Sequence, residues 1–104
     1  MNFIKYQSVS EFPSSARDLS FSVKDANSYQ NLQKFILNIK DNLLKEVFIF
    51  DFYKNEKKEE IKIGFRFIFQ SQNKTVTELE VSNIMAKIID SATSMDSVEI
   101  PGLN

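Results

Sequence analysis

A strictly alternating segment, residues 61–69, constrains the fold more than any other part of the sequence. Every odd position in it is Ile or Phe, whereas the even positions are Lys62, Gly64, Arg66 and Ile68. Successive side chains of a β-strand point to opposite faces of a sheet, so this period of two predicts a strand with one buried face. The residues expected to face the core are Ile61, Ile63, Phe65, Phe67 and Phe69.

Three further segments are predicted to be strands. Residues 18–23 alternate between apolar and polar positions, and residues 44–54 are rich in β-branched and aromatic residues. Residues 97–100 form a short last strand, which Pro101 and Gly102 end. The side chains expected to face the core are Leu19, Phe21 and Val23 in the first strand and Phe48, Phe50 and Phe52 in the second. The opposite set in the second strand is Val47, Ile49, Asp51 and Tyr53.

Two segments show the spacing of amphipathic helices. Asn27 or Ser28 is suited to cap a helix that runs to about Lys40. Thr77 followed by Glu80 forms the capping-box pattern that opens a second helix. The apolar residues of the first helix are Leu32, Phe35, Ile36 and Ile39, and those of the second are Val81, Ile84, Met85, Ile88, Ile89 and Ala92. Each set lies on one side of its helix, so each helix is expected to cover a sheet with that side.

The order of these elements is β-α-β-β-α-β, with a charged hairpin at residues 55–60. This order predicts a ferredoxin-like α+β sandwich, in which two helices cover one face of a four-stranded antiparallel sheet. Right-handed crossovers place the first and third strands in the centre and leave the other face without a helix. Residues 1–104 are expected to form one domain, with residues 1–16 as an extended lead-in.

Composition excludes most catalytic chemistry. The chain has no Cys and no His, so it has no disulfide, no thiol nucleophile and no imidazole to act as acid, base or metal ligand. The paired carboxylates at Glu59–Glu60 and at Glu78 and Glu80 fall in a hairpin and a helix cap without an apolar pocket to shift their pKa. We therefore expect no catalytic residue, no metal site and no cofactor in this chain.

Hydropathy and charge restrict the location and the partners. No apolar run approaches the ~20 residues that span a bilayer, so we expect an intracellular protein that does not contact membranes. The net charge of −1 and the pI near 5.4 argue against holding nucleic acid by bulk electrostatics. If RNA binds, the contact is expected to be local.

The uncovered face of the sheet is the candidate binding surface. Arg and Lys can meet phosphate, Tyr and Arg can stack on a base, Asp can accept from the Watson–Crick edge of guanine, and Gly64 can leave room for a base. The candidate residues are Ser20, Asp51, Tyr53, Lys62, Gly64 and Arg66. The same pattern also fits the solvated side of an amphipathic sheet, and spacing alone leaves both interpretations open.

Three motifs in this chain together resemble a known family. They are Pro-Ser-x-x-Arg-Asp-Leu-Ser at residues 13–20, Phe-Asp-x-Tyr at residues 50–53, and Thr-x-Thr-x-x-Glu-Val at residues 75–81. In this order and spacing they resemble the ferredoxin-fold anticodon-binding domain at the C-terminal end of the bacterial phenylalanyl-tRNA synthetase beta subunit. The family usually has a basic residue where this chain has Ala16, and often one where it has Gln70.

The resemblance implies a role in tRNA recognition. The parent enzyme is an α2β2 tetramer that uses ATP and Mg²⁺ to attach phenylalanine to its tRNA, with its catalytic centre on the alpha subunit. This chain would be a non-catalytic domain excised from the C-terminal end of a longer beta subunit, in the cytoplasm or in a plastid stroma. It would contact the anticodon stem-loop through Asp51 and Tyr53, with Lys62, Arg66 and Arg17 meeting phosphates or bases.

A regulatory domain of the same fold is the alternative. Ferredoxin-like regulatory domains enclose a small molecule at an interface and use a glycine-containing loop after the first strand. Only Gly64 precedes residue 100 here, so that loop is absent. Enzymes of this fold, such as acylphosphatases and nucleotide kinases, need a Gly-rich phosphate loop or a His that the chain also lacks.

Overall fold

The structure is a computed structural model that describes residues 10–102, and within them the predicted order of elements is confirmed. The elements are β1 (Ser15–Val23), α1 (Ala26–Leu37), β2 (Leu44–Asn55), β3 (Glu60–Phe69), α2 (Glu78–Thr93) and β4 (Val98–Glu99). β1 begins earlier than the predicted start at residue 18, and β4 is shorter than the predicted residues 97–100. Residues 1–9 of the predicted lead-in lie outside the described residues.

The strands form one four-stranded antiparallel sheet in the order β2-β3-β1-β4. β1 and β3 occupy the centre, as the right-handed crossover rule predicts. They pair without irregularity from Ser15 opposite Phe69 to Val23 opposite Ile61. The ferredoxin-like α+β fold is therefore confirmed.

The core lies between the sheet and the two helices. The inward residues of β3 from Ile63 to Phe69 are almost completely buried, and the rings of Phe21 and Phe65 meet edge to face with centroids 5.9 Å apart. The helices contribute the buried side chains of Leu32, Ile36, Val81, Met85, Ile88 and Ala92. Burying a large apolar side chain contributes roughly 1.5 to 3 kcal/mol, so this layer dominates the stability of the fold.

Helix α1 begins and ends earlier than predicted. Asp25, in an extended conformation, is the N-cap: its carboxylate accepts hydrogen bonds from the Asn27 amide at 3.1 Å and from the Ser28 hydroxyl at 2.7 Å. The prediction that Asn27 or Ser28 caps the helix is therefore wrong. The helix ends at Leu37 rather than near Lys40, because the next amides bond to carbonyls only three residues back.

Helix α2 begins with the predicted capping box. The Thr77 hydroxyl accepts from the Glu80 amide at 3.1 Å, and the Glu80 carboxylate accepts from the Thr77 amide at 2.9 Å. A hydrogen bond from Lys74, together with the Thr77 amide, lowers the pKa of Glu80 to about 2. The negative charge that completes the cap therefore persists well into the acid range.

Strand β2 differs most from the prediction. Its register with β3 passes from Ile49 opposite Phe65 to Asp51 opposite Gly64, which leaves Phe50 as an extra residue in a β-bulge. Before the bulge, Val47 and Ile49 pack against the core, and after it Phe52 lies on the helix side with its ring 5.8 Å from that of Tyr29.

The prediction that Phe48 and Phe50 belong to the core is therefore wrong. Phe48 is 38% exposed and Phe50 is 40% exposed, and both lie on the face away from the helices. Phe52 is on the helix side as predicted, but it is 50% exposed. β2 is an edge strand, where a bulge costs fewer ladder hydrogen bonds than it would in the centre of the sheet.

Candidate nucleic-acid interface

Within residues 10–102, no helix packs on the second face of the sheet, which we call the open face. Residues paired across antiparallel strands share a face, so the register identifies its members. They are Ala16, Asp18, Ser20 and Ser22 of β1, Glu46, Phe48, Phe50, Asp51, Tyr53 and Asn55 of β2, Glu60, Lys62, Gly64, Arg66 and Ile68 of β3, and Glu99 of β4. This face holds the candidate site.

Asp51 and Tyr53 lie on the open face, as predicted. Asp51 is opposite Gly64 and Tyr53 is opposite Lys62, and the Tyr53 side chain is 56% exposed. In the described part of the chain, neither side chain makes a hydrogen bond or an ion pair. Both are therefore available to a ligand.

The bulge is what places these two residues outside. In a regular strand Val47, Ile49, Asp51 and Tyr53 would share one face, and the contacts of Val47 and Ile49 with the core would turn all four inward. The extra residue Phe50 shifts the alternation by one position. The predicted common face for these four residues is wrong, although the predicted exposure of Asp51 and Tyr53 is confirmed.

Arg66 lies at the centre of the open face in a fixed orientation. Its Nε donates to one carboxylate oxygen of Asp18 and its Nη2 to the other, each at 2.8 Å. Its guanidinium carbon lies 4.8 Å from the centroid of the Phe50 ring, which is cation–π distance. The hydrogen bonds from Arg66 hold the pKa of Asp18 below its usual value, so the pair remains ionised at neutral pH.

Gly64 provides the space in which the Phe50 ring lies. A Cβ atom at this position would lie 2.8 Å from Cε1 of Phe50 and 3.3 Å from Cβ of Asp51. The expectation that Gly64 leaves room for a base is therefore corrected, because the structure places the ring of Phe50 in that space.

The other predicted residues are divided between the two faces. Ser20 and Lys62 are exposed on the open face, next to Gly64 and Tyr53 respectively. Arg17 is in register with Phe67, on the helix side, and its guanidinium donates to both carboxylate oxygens of Glu78 at 2.7 and 2.6 Å. The structure therefore does not bring Arg17 together with the rest of the site.

One polar residue of the open face is not available to solvent. Ser22 is only 1% exposed, and its hydroxyl donates to the carboxylate of Glu60. This hydrogen bond, followed by the charges of nearby lysines, lowers the pKa of Glu60. Ser22 is therefore not available to a ligand, although Lys62 and Tyr53, which lie in register with it, are exposed.

Sequence reasoning missed the aromatic component of the open face, Phe48 and Phe50. A signal for it was present, because both interleaved sets of β2 are apolar at residues 47–50 and one of them then continues into Asp51. A glycine inside the neighbouring strand, Gly64, is a second signal of a bulge or of a close approach. Neither signal identifies the extra residue without the pairing to β3.

The described residues also bear on metals and membranes. They include no group of three or more side chains arranged to hold a metal ion. No helix between residues 10 and 102 is long and apolar enough to cross a membrane.

Known proteins resemble this chain over most of its length. It is 27% identical over 97 residues to the chloroplastic and mitochondrial phenylalanine–tRNA ligase of Arabidopsis thaliana, covering 93% of this chain and 23% of that protein. It is 33% identical over 88 residues to a phenylalanine–tRNA ligase beta subunit of Syntrophus aciditrophicus, covering 83% of this chain and 11% of that protein. A beta subunit of Wolinella succinogenes is 33% identical over 91 residues, covering 86% of this chain and 12% of that protein.

The chain thus spans a quarter or less of the length of these relatives. The family model of the ferredoxin-fold anticodon-binding domain matches residues 10–100, which include both helices and all four strands. The motifs at residues 13–20, 50–53 and 75–81 all fall within that match. This chain belongs to the ferredoxin-fold anticodon-binding domain family.

Proposed function

We propose that this domain binds the anticodon stem-loop of a phenylalanine-accepting tRNA on the open face. The observation that carries the proposal is the position of Asp51 and Tyr53. Both are exposed, neither has a partner among the described residues, and they lie on the same face after the bulge. The family to which the chain belongs is described as anticodon-binding, which supports the RNA part of the proposal.

The two side chains have complementary chemistry for one nucleotide. The Tyr53 ring offers a surface on which an unpaired base can stack. The Asp51 carboxylate accepts hydrogen bonds, and guanine presents N–H donors along its Watson–Crick edge. We assign the first anticodon base to this pair, with Lys62 at a neighbouring phosphate and Ser20 as a further hydrogen-bonding group.

The parent protein is proposed from the relatives. We propose that the chain is part of a phenylalanine–tRNA ligase beta subunit, in an α2β2 enzyme that uses ATP and Mg²⁺ at a catalytic centre on its alpha subunit. In this proposal the domain itself is not catalytic and holds no cofactor, and the enzyme acts in the cytoplasm or in a plastid. Chloroplastic proteins are among the relatives, which supports the second location.

Tethering to a larger enzyme would compensate for a weak contact. The net charge of −1 gives no long-range attraction to RNA, so affinity must come from a few local contacts. When a domain is linked to a body that already holds the tRNA, its binding becomes intramolecular and benefits from a high effective concentration. The isolated chain is therefore expected to bind more weakly than the enzyme.

Replacing Tyr53 by Ala tests the proposal. Stacking on an aromatic side chain contributes about 1 to 3 kcal/mol per base, so Tyr53→Ala is expected to weaken binding of the anticodon stem-loop by about 5- to 150-fold. Calorimetric titration of the 104-residue chain with the RNA hairpin gives the affinity. The matched control is Phe52→Ala, which removes a half-exposed ring from the adjacent position on the opposite face. Equal affinities for Tyr53→Ala and Phe52→Ala would contradict the assignment.

Chemical-shift mapping with the same hairpin locates the contact independently. The shifted amides are expected on the open-face positions of β1, β2 and β3, centred on Asp51 and Gly64. Shifts confined to α2 would remove the site from the sheet. Sedimentation of the free chain tests the regulatory alternative. A stable dimer would favour that alternative, because such a domain encloses its ligand between two copies, whereas a monomer that binds the hairpin would favour the proposed function.

A further inference from the structure

The ion pair between Asp18 and Arg66 has a geometry suited to control what Arg66 binds. Two N–H donors of the guanidinium, on Nε and Nη2, are already occupied by the carboxylate of Asp18. The ring of Phe50 lies against the guanidinium. The two contacts together restrain the guanidinium, while the Arg66 side chain remains 40% exposed.

This arrangement changes the chemistry that Arg66 offers. A free guanidinium attracts phosphate through its net charge and its pair of parallel donors. Here the adjacent carboxylate neutralises the charge and occupies one such pair of donors. Three N–H donors remain, one on Nη2 and two on Nη1. Because the carboxylate beside them cancels the charge, they suit a neutral base better than a phosphate group.

Stability does not account for the arrangement. An exposed ion pair in water contributes little to the free energy of folding. Three separate features nevertheless act together on this one guanidinium. The bulge brings Phe50 to the open face, Gly64 gives its ring space, and Asp18 aligns the donors.

We propose that Asp18 is a specificity-determining residue that holds Arg66 beside Phe50, so that Arg66 contacts a base and does not act as a free phosphate-binding cation. The proposal rests on the proposed function, because it concerns the same RNA and the same face. It assigns roles to Asp18 and Phe50, which both contact Arg66, and it narrows the expectation that Arg66 meets phosphates or bases to a base.

The test is Asp18→Asn, a substitution that keeps the size of the side chain and removes its charge. The binding constants of wild type and variant are measured over a range of salt concentrations. Two RNA hairpins are used, the phenylalanine anticodon stem-loop and the same hairpin with its first anticodon base changed. In the variant the charge of Arg66 is no longer balanced, so we expect about one additional phosphate contact. The slope of log K against log salt should then become more negative by about 0.7 to 0.9. The ratio between the affinities for the two hairpins is expected to fall.

Two further variants isolate the effect. Asp90→Asn removes the same charge from α2, away from Arg66, and is expected to retain the wild-type slope and ratio. In the double variant Asp18→Asn with Arg66→Gln, the extra salt dependence is expected to disappear, because the freed cation is absent. Circular dichroism of each variant shows whether the fold is kept.

The outcomes separate the two proposals. If wild type binds the anticodon hairpin and Asp18→Asn has the slope and ratio of Asp90→Asn, the role of Asp18 is overturned and the proposed function stands. If Arg66→Gln alone lowers the wild-type salt slope by about one phosphate, Arg66 is a phosphate contact and the inference is overturned. If the wild-type chain binds neither hairpin at low salt, the proposed function fails and the inference fails with it.

Discussion

Strands β2 and β3 are the two arms of one hairpin, but they direct their phenylalanines differently. β3 is a central strand and alternates without interruption, and its Phe65, Phe67 and Phe69 are all buried under the helices. β2 is the edge strand, and its register is interrupted twice, between Leu44 and Glu46 and at Phe50, where the bulge reverses the phase of the residues that follow. Phe48 and Phe50 consequently lie on the open face.

The difference shows when alternation is sufficient to assign a face. In β3 one of the two interleaved sets has no large apolar residue apart from Ile68, so only one orientation buries the apolar set. At residues 47–50 of β2 both sets are apolar, and either orientation would bury large side chains. Pairing with β3 selects Val47 and Ile49 for the core.

The bulge also links this difference to function. A β-bulge changes the direction of the side chains that follow it, and such irregularities are common beside functional sites. Here the residues redirected to the open face are Asp51 and Tyr53. The irregular strand of the hairpin carries the proposed binding residues, and the regular strand carries the core.

The largest expected effect comes from the same substitution made on the two strands. Phe65→Ala empties a fully buried site beside Phe21 and is expected to cost about 3 to 5 kcal/mol in the free energy of unfolding. Phe48→Ala, at a position 38% exposed on the open face, is expected to cost at most about 1 kcal/mol. Urea denaturation followed by circular dichroism measures both values.

Phe65→Leu keeps the comparison measurable if Phe65→Ala does not fold. It retains most of the buried volume and is expected to lie between the other two in stability. Equal losses for Phe65→Ala and Phe48→Ala would mean that both strands bury their phenylalanines, and the assigned faces of β2 would then be wrong.

A smaller effect is expected where the two strands meet at the bulge. Gly64→Ala places a methyl group where the Phe50 ring now lies, and the far end of that ring must move. We expect a loss of about 1 kcal/mol, at the lower end of the range for overpacking, because an exposed ring can shift. The measurement is again urea denaturation.

The double variant Gly64→Ala with Phe50→Ala sharpens the result. Removal of the ring is expected to make the glycine substitution nearly neutral, which gives a clear coupling energy in a double-mutant cycle. Ser20→Ala, on the strand at the other side of Gly64, is the control and is expected to show no coupling with Phe50→Ala. Additive effects of Gly64→Ala and Phe50→Ala would indicate that the ring does not occupy this space.

The smallest effect concerns the pH dependence of the open face. The pKa of Asp18 is lowered chiefly by its hydrogen bonds from Arg66. The stabilisation from this pair is therefore present above the ordinary pKa of 3.8 and is lost as the pH falls through the lower folded value. A carboxylate titration followed by NMR should show a midpoint below 3.8 in wild type and a rise toward that value in Arg66→Gln.

Phe50→Ala separates the contributions to this shift. It removes the ring against the guanidinium but keeps both hydrogen bonds, so most of the depression of the Asp18 pKa is expected to remain. A midpoint for Phe50→Ala as high as that for Arg66→Gln would show that the ring, and not the carboxylate, determines the orientation of Arg66.

Much of this fold could be predicted because its local signals agree with each other. The alternation of residues 61–69, the capping box at Thr77 and Glu80, and the single apolar stripe of each helix each permit one reading, and the structure confirms them. The start of α1 was missed by a small distance, because Asp25, Asn27 and Ser28 are all suitable caps and only backbone geometry selects Asp25.

The candidate site could be predicted only in part. The predicted exposure of Asp51 and Tyr53 is confirmed, but regular alternation is the wrong reason for it, because the bulge at Phe50 turns them to the open face. The positions of Phe50 over Gly64 and of Arg17 on Glu78 depend on contacts between residues far apart in the chain. Local pattern carries no information on such contacts.

The sequence by itself determined the order of the elements, the buried face of β3 and the absence of imidazole and thiol chemistry, because these depend on residue type and on short-range period. The tertiary structure alone decided the phase of β2, since two apolar sets competed for one core and the pairing with β3 accommodated one extra residue. That extra residue, Phe50, brings its ring to Arg66 and turns Asp51 and Tyr53 to the open face.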